Sequence, residues 1–209
     1  MAQLLLALAA PPAPAFDNFV TGRNAALVAA LRAFAHSAPD RCVYLWGTPG
    51  SGRSHLLEAW RRTCAQAGVT SVSVHDDVDQ LDDAAQIALF NRINAARAGQ
   101  GNVLMAGNAA PAQLALRDDL KSRIAWGLSF EVLPLSDAEK EAAVRAQAEA
   151  RGMALGNDVL AYVMTHVRRD MATLSGIVAA LDDYSLEHKR PVTLPLVREL
   201  LAQSRDLDL

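Results

Sequence analysis

The segment GTPGSGRS, residues 47–54, has the residue types and the spacing of a phosphate-binding loop. Four residues separate two of its glycines, and an arginine and a serine follow. In such a loop the backbone N–H groups and the N-terminus of the next helix bind a diphosphate, while the serine hydroxyl ligates Mg²⁺. The alternative is a glycine turn with a purely structural role. The nucleotide-binding residues that this motif predicts are Gly47, Gly50, Ser51, Gly52, Arg53 and Ser54, and Ser54 is also a predicted metal ligand.

Arg53 stands where the phosphate-binding motif has lysine. Arginine keeps the positive charge but replaces a compact ammonium by a broad, planar guanidinium. We therefore expect the loop to bind a diphosphate but to support only slow ATP hydrolysis, because γ-phosphate transfer depends on where this cation is placed.

Acidic residues follow the next predicted strand, in the segment SVHDDVD at residues 73–79. Carboxylates at the carboxyl end of a buried strand lie beside the phosphate-binding loop in this architecture. Asp76 is the candidate for the Mg²⁺ shell, and Asp77 is the candidate for orienting the attacking water, although aspartate is shorter than the usual glutamate. The alternative for this cluster is a solvated loop. His75 is expected to be structural.

The elements around these residues alternate between strands and helices. The segment CVYLW is typical of a buried strand and leads directly into the loop. Strands alternating with helices predict a mostly parallel sheet with helices on both faces, here over residues 16–135. The predicted strands are 42–46, 69–77, 102–107 and 127–135, and the predicted helices are 25–35, 54–67 and 83–97, the first of them capped by Asn24.

Helices alone are predicted from residue 136 to residue 209. Ser136 and Glu139 form the pattern of a capping box for a helix that reaches about Arg151. Further helical stretches are predicted over 158–167, 170–187 and 193–203. This part of the chain is expected to form a small all-α lid domain.

Four segments of the chain together resemble the DnaA-related AAA+ ATPases, and among these the regulatory inactivators of the replication initiator DnaA. FDNFVTGRN is similar to the segment that packs near the adenine, and NVLMAGNAAP to the sensor 1 strand, with Asn108 at its tip. DDLKSRIAWGLSFEVLPLSD resembles the arginine-finger segment, which makes Arg123 the residue that faces a neighbouring subunit. RRDMATLSG resembles the start of the sensor 2 helix, and the resemblance implies that Arg169 faces the nucleotide phosphates. The alternative for both arginines is solvated surface charge.

The resemblance implies a P-loop AAA+ fold, from which this sequence departs in one place. The family has another strand and helix between the phosphate-loop helix and the acidic strand, and the few residues available here cannot hold both. We therefore expect a sheet that lacks one edge strand–helix unit, either naturally or through shortening of the chain. No helix-turn-helix DNA-binding domain is expected after the lid, and hence no direct sequence-specific DNA binding.

The N-terminal segment MAQLLLALAAPPAPA has two competing interpretations from composition alone. It imitates a secretory signal, but no lysine or arginine precedes Arg23, and its apolar run is too short to span a bilayer. A flexible, Pro/Ala-rich tail over residues 1–15 is the other reading. Within it, QLLLAL resembles the peptide by which replication proteins bind the β sliding clamp of DNA polymerase III. The anchors that the resemblance implies are Gln3, Leu4, Leu6 and Leu8.

Composition and charge are consistent with this interpretation. A net charge of −3 over 209 residues provides no field for nonspecific nucleic-acid binding. The two cysteines, Cys42 and Cys64, fall in predicted core elements and favour a reducing compartment, the cytoplasm.

The resemblance implies a regulatory protein that holds ADP or ATP with Mg²⁺, docks on the DNA-loaded clamp and presents Arg123 to ATP bound by DnaA, which would limit replication initiation. Its own ATPase activity is expected to be weak, because Arg53 and Asp77 depart from the usual lysine and glutamate. A role as an autonomous ATPase is therefore disfavoured. The alternative is a helicase-loader-like ATP switch acting on another replication partner. Homo-oligomerisation stays open.

Overall fold

The computed structural model describes residues 12–36 and 42–205, with residues 203–205 described by their backbone alone. Two compact units contain most of these residues: one spans residues 14–134 and the other begins at residue 135. Each unit has its own hydrophobic core and is described by itself below.

A four-stranded parallel sheet forms the centre of the first unit. Its strands are β1 (Cys42–Trp46), β2 (Val72–His75), β3 (Asn102–Gly107) and β4 (Leu128–Glu131). The strand order is β2-β3-β1-β4, and every pair of neighbours is parallel. All four strands therefore end at the same edge, where ligands bind in open α/β sheets.

Helices cover both faces of this sheet, as predicted. They are α1 (Ala25–His36), α2 (Arg53–Gln66), α3 (Asp83–Arg97) and α4 (Asp118–Ala125). Because successive side chains of a strand point to opposite faces, β1 contributes to two cores. Val43 and Leu45 pack with α1 and α2, whereas Cys42 and Tyr44 pack with α3 and α4.

The connection between α2 and β2 is short, and both elements are fully described. Residues 67–71 join them and contain no strand or helix. The expectation that one edge strand–helix unit is lacking is confirmed, and β2 forms the edge of the sheet next to β3.

The second unit consists of helices, as expected for the lid. They are α5 (Asp137–Ala150), α6 (Asn157–His166), α7 (Met171–His188) and α8 (Leu194–Arg205). The predicted capping box is present, because Ser136 accepts a hydrogen bond from the Glu139 N–H and the Glu139 carboxylate accepts one from the Ser136 N–H. Side chains from all four helices, among them Val144, Val163, Leu174 and Leu196, form the core of this unit.

The structure departs from the predicted elements in a few places. The side chain of Asn24 binds the backbone of Leu133, although a helix-capping role was predicted. Helix α4 and three short 3₁₀ helices, at Phe16–Asn18, Val78–Gln80 and Pro111–Gln113, were not predicted.

Two predictions concern membrane spans and the N-terminal tail. Within the described ranges, no helix is long and apolar enough to cross a membrane. The predicted clamp-binding residues Gln3, Leu4, Leu6 and Leu8 lie outside the described residues.

Candidate functional site

The predicted phosphate-binding loop connects the end of β1 to the first turn of α2. The Ser51 N–H donates to the Thr48 carbonyl at 3.1 Å, which closes a tight turn. Gly52 precedes α2 with φ of 100°, in the left-handed region that favours glycine. A Cβ atom at Gly52 would lie 2.7 Å from the Phe19 ring, so that packing as well as backbone conformation excludes a side chain there.

Two buried polar atoms of this loop have no hydrogen-bond partner in the part of the chain that the structure describes. They are the Ser51 Oγ and the Arg53 Nη1. Buried donors are normally satisfied, and an exception indicates a missing partner. Together with the N-terminus of α2, these donors suit an anionic group such as a diphosphate.

The Arg53 side chain is only 10% exposed, and its closest acidic neighbour is Asp77. The Arg53 Nη2 lies 3.7 Å from the Asp77 Oδ1, which is an ion-pair distance but is too long for a hydrogen bond. Asp77 itself has a left-handed backbone, with φ of 44°, and its N–H donates to the Asp76 carboxylate at 2.9 Å. Asp76, Asp77 and Ser54 are exposed, so their oxygen atoms remain accessible for a cation.

Residues 15–24, the N-terminal part of the α/β unit, pack against the loop and against the end of the sheet. The ring of Phe19 lies over Gly52 and 5.4 Å from the ring of His55. The Asn24 side chain exchanges two hydrogen bonds of 2.9 Å with the Leu133 backbone. The segment that resembles the adenine-contacting segment therefore lies directly beside the predicted phosphate-binding loop.

Asn108, the predicted sensor 1 residue, follows β3 and is held by two hydrogen bonds that sequence reasoning missed. The Asn108 N–H donates to the Asp79 Oδ1 at 3.0 Å, and the Tyr44 hydroxyl donates to the carbonyl of the neighbouring Ala109 at 2.7 Å. Burial, and then the nearby Asp79 carboxylate, raise the pKa of Tyr44 well above its usual value. The hydroxyl therefore remains protonated and donates. A tyrosine at a core position of β1 was the available signal, since a buried hydroxyl needs a partner.

His75 ends β2 and is half-buried, with its Nε2 lacking a partner among the described residues. Burial, and then the positive charge of Arg92, lower its pKa. The ring is therefore neutral near pH 7.

Arg123, the predicted arginine finger, lies in the last turn of α4. Leu120 and Ile124 of the same helix are buried in the core that α4 shares with α3, which places Arg123 on a neighbouring, partly exposed face. Its guanidinium carbon lies 3.6 Å from the centroid of the Trp126 ring and 5.3 Å from that of Phe90. The guanidinium thus packs on aromatic faces.

Arg169, the predicted sensor 2 residue, lies two residues before the start of α7 in the helical unit. Its Nη1 donates to the Asp137 carboxylate at 2.6 Å, and its Nε donates to the Met164 carbonyl at 2.9 Å. Arg169 therefore has a carboxylate partner inside its own unit. The other predicted nucleotide-site residues and Arg123 belong to the α/β unit, where the phosphate loop, the acidic residues and Asn108 follow parallel strands at one edge of the sheet.

The fold and this edge of the sheet define the class of protein. Domain III of the replication initiator DnaA from Thermotoga maritima has a similar structure, with a TM-score of 0.72 at 22% identity over 92% of this chain and 97% of that one. AMPPCP-bound DnaA from Aquifex aeolicus gives 0.71 at 16% identity, over 94% and 71%. The Thermotoga maritima RuvB Holliday junction branch migration motor gives 0.61 at 16%, over 89% and 70%. These likenesses establish a P-loop AAA+ fold with a helical lid.

The helical unit narrows this class further. Residues 137–201, which include α5, α6 and α7 completely, match the family model described as the Hda lid domain. The helical unit is therefore similar to the lid domain of Hda, which agrees with the resemblance that the sequence motifs indicated.

Proposed function

We propose that this protein regulates DnaA by promoting the hydrolysis of DnaA-bound ATP. It would hold an adenine nucleotide, preferentially ADP, in its own loop, dock on the DNA-loaded β sliding clamp through residues 3–8, and supply Arg123 in trans. The proposal rests on the Hda-type lid together with the environment of Arg123.

The observation that carries the proposal is the difference between three arginines. Arg53 has Asp77 as a close carboxylate neighbour, and Arg169 has Asp137. Arg123 has no acidic partner anywhere in the described ranges, and its guanidinium is in contact with aromatic rings. A partly exposed guanidinium without a counter-ion is suited to bind an anion supplied by another molecule.

An arginine supplied by a second protein can accelerate phosphoryl transfer. It neutralises the negative charge that develops on the γ-phosphoryl group, which acts chiefly as electrostatic stabilisation of the transition state. In this proposal the hydrolysed ATP belongs to DnaA, and Arg123 is the catalytic residue that this chain contributes.

The nucleotide of the chain itself would have a structural and regulatory role. The donors of the phosphate loop fit a diphosphate, since the buried Ser51 Oγ and Arg53 Nη1 have no other described partner. DnaA from Aquifex aeolicus, which shares the fold, was solved with bound AMPPCP. Ser54 and Asp76 are the residues that would hold Mg²⁺, a cation that usually combines one or two protein oxygens with phosphate oxygens. Bound Mg²⁺ would supply charge neutralisation at the phosphates.

The test is an assay of ATP hydrolysis on DnaA in the presence of the full-length chain, with and without clamp-loaded DNA. We expect stimulation with clamp-loaded DNA, and loss of that stimulation when residues 1–8 are deleted or Gln3 and Leu6 are replaced by alanine. The melting temperature should barely change, because these residues precede the first core element. Clamp binding that survives the deletion would contradict the docking role. Normal clamp binding without any stimulation of DnaA would favour the helicase-loader alternative.

A further inference from the structure

We propose that Trp126 is a positioning residue for Arg123, and that Arg97 holds the Trp126 ring from its other face. The inference rests on the proposed trans role of Arg123 and extends it to two residues on different helices. Its structural basis is a stack of three side chains, Arg97–Trp126–Arg123, at the junction of α3, α4 and β4.

The distances show that the two arginines lie on opposite faces of the indole. The guanidinium carbon of Arg97 is 3.7 Å from the centroid of the Trp126 ring, and that of Arg123 is 3.6 Å from the same point. At van der Waals stacking distance, two guanidinium groups on one face would occupy the same space. The indole therefore separates two positive charges, and each charge faces the negative π-surface of the ring.

The backbone at Trp126 is held closely in place. Trp126 ends α4, where its N–H donates to the Arg123 carbonyl at 3.3 Å. Gly127 follows, and a Cβ atom there would collide with the Cys42 carbonyl of β1. The chain beside Trp126 is thus fitted closely against the sheet, which fixes the point from which the indole extends.

Packing in the core does not account for this tryptophan. Trp126 is 53% exposed, so its stabilisation of the fold through burial is small for an indole. Stacking of a nucleic-acid base does not account for it either, because both faces of the ring are already covered by guanidinium groups. What the ring does in this position is to limit the rotamers of Arg123.

Limiting these rotamers has a direct consequence for an arginine that acts in trans. A free arginine side chain loses considerable rotamer entropy when it binds, and preorganisation lowers that cost. Phe90, 5.3 Å from the guanidinium carbon, borders the same position from α3. Arg123 is therefore held in a narrow range of orientations before any partner is present.

The first experiment measures the stack in the isolated full-length protein and does not depend on DnaA. Trp126 is 53% exposed, whereas Trp60 is fully buried and Trp46 is partly buried, so that acrylamide quenching reports mainly on Trp126. Arg123→Ala and Arg97→Ala should each increase the quenching constant by uncovering one face of the ring. Arg198→Ala, which removes a guanidinium 5.2 Å from the Tyr162 ring of the helical unit, is the matched control and should not. Unchanged quenching in both test variants would overturn the stack itself.

The second experiment separates positioning from docking by measuring the rate of DnaA–ATP hydrolysis against the concentration of each variant. Trp126→Leu keeps an apolar side chain but removes the π-surface, and should lower the maximal rate about fivefold while leaving the half-saturating concentration within about twofold. Trp126→Phe keeps a π-surface and should restore the maximal rate to within about twofold of the original protein. Arg97→Ala should lower the maximal rate about twofold.

The outcomes of the second experiment distinguish this inference from the proposed function. If Trp126→Leu raises only the half-saturating concentration, the indole is part of a docking surface and the positioning role is wrong. If Arg123→Ala itself leaves stimulation unchanged, the proposed function fails and the positioning role fails with it. Thermal unfolding of each variant by circular dichroism verifies that the α/β unit is intact, as expected for substitutions at exposed side chains.

Discussion

Arg53 combines a buried side chain with an acidic neighbour, and both features bear on how the nucleotide site can act. Its guanidinium is 10% exposed and lies 3.7 Å from Asp77. A guanidinium is broader than an ammonium and its charge is spread over a plane. We therefore expect Arg53 to contact a diphosphate without concentrating its charge at the γ-phosphate. Asp77 also has its carboxylate directed at Arg53, which competes with a water-orienting role.

The first prediction is therefore slow turnover by the chain itself. The isolated protein should bind ADP more tightly than ATP in calorimetric titration and hydrolyse ATP below about 0.01 s⁻¹, the range of slow switch proteins. Arg53→Lys should raise the turnover and change ADP affinity less than about threefold. A turnover of about 1–100 s⁻¹ in the unaltered protein, typical of kinases, would be incompatible with this account.

Asp79 and Tyr44 hold the chain at the predicted sensor residue Asn108 and at the following Ala109. The Tyr44 side chain is fully buried, and its hydroxyl donates to the Ala109 carbonyl. We predict that Tyr44→Phe lowers the free energy of unfolding by about 1–2 kcal/mol, because it leaves that carbonyl without its donor. Urea unfolding measures this change. Tyr162→Phe is the control, since the Tyr162 hydroxyl has no hydrogen bond within residues 12–36 and 42–205; an equal loss in both variants would show that the Tyr44 hydrogen bond is not the cause.

At the scale of elements, the strands and most helices could be predicted because their signals are local. Strand β1 is a continuous apolar run, and α3 has the predicted bounds, with Asp82 as its side-chain cap. Helix α4 was missed because it is short and begins after Arg117, which provides no side-chain cap. The role of Asn24 was missed because its partner, Leu133, lies far along the chain, and no local pattern indicates a long-range hydrogen bond.

The candidate site shows the same division between local and long-range information. The connection from β1 through the glycine-rich loop to α2 was predictable because its spacing is a local motif. The stack of Trp126 between Arg97 and Arg123 was not, because it requires the packing of α3 against α4. The pairing of Arg169 with Asp137 likewise depends on how α5 lies beside α7 in the helical unit.

Helices α5 and α7 are linked by charges that titrate, which leads to a prediction of pH dependence. A hydrogen bond from Lys140, and then the positive charge of Arg169, hold the pKa of Asp137 below its usual value. A depressed pKa stabilises the folded state above the unfolded pKa of about 3.9, and this contribution is lost as the pH falls through the folded pKa. Asp137→Asn should therefore lower the melting temperature at pH 7, and the difference from the original protein should shrink as the pH falls below about 3.9 and vanish below the folded pKa.

The control for Asp137 lies on the same helix. Glu141 is exposed and makes no ion pair within the described ranges. Glu141→Gln should therefore leave the melting temperature nearly unchanged at pH 7 and at pH 3. A difference for Asp137→Asn that persists undiminished at pH 3 would contradict the assignment, because the carboxyl would then stabilise α5 by something other than its charge.

At the scale of the whole molecule, the predicted nucleotide-binding loop and the proposed arginine finger lie at different places. The α/β unit contains the predicted phosphate loop and Arg123 at different places: the loop follows β1, and Arg123 precedes β4 on α4. The two strands are neighbours in the sheet. In the proposed function, the loop would retain the nucleotide of the chain itself while Arg123 acts on the nucleotide of another protein, so that loss of one function need not remove the other.

The central claim, that Arg123 acts in trans, is tested most directly by DnaA–ATP hydrolysis on clamp-loaded DNA with single arginine variants. We predict that Arg123→Ala lowers the stimulated rate at least about tenfold, within the large contribution known for arginine fingers, while clamp binding and ADP binding stay near those of the original protein. Arg123→Lys should not restore the rate, since a point charge does not replace the planar fork. Arg169→Ala should instead weaken nucleotide binding by the chain itself. The account would be contradicted if Arg123→Ala stimulated DnaA–ATP hydrolysis fully while Arg169→Ala, with its own nucleotide binding intact, did not stimulate it.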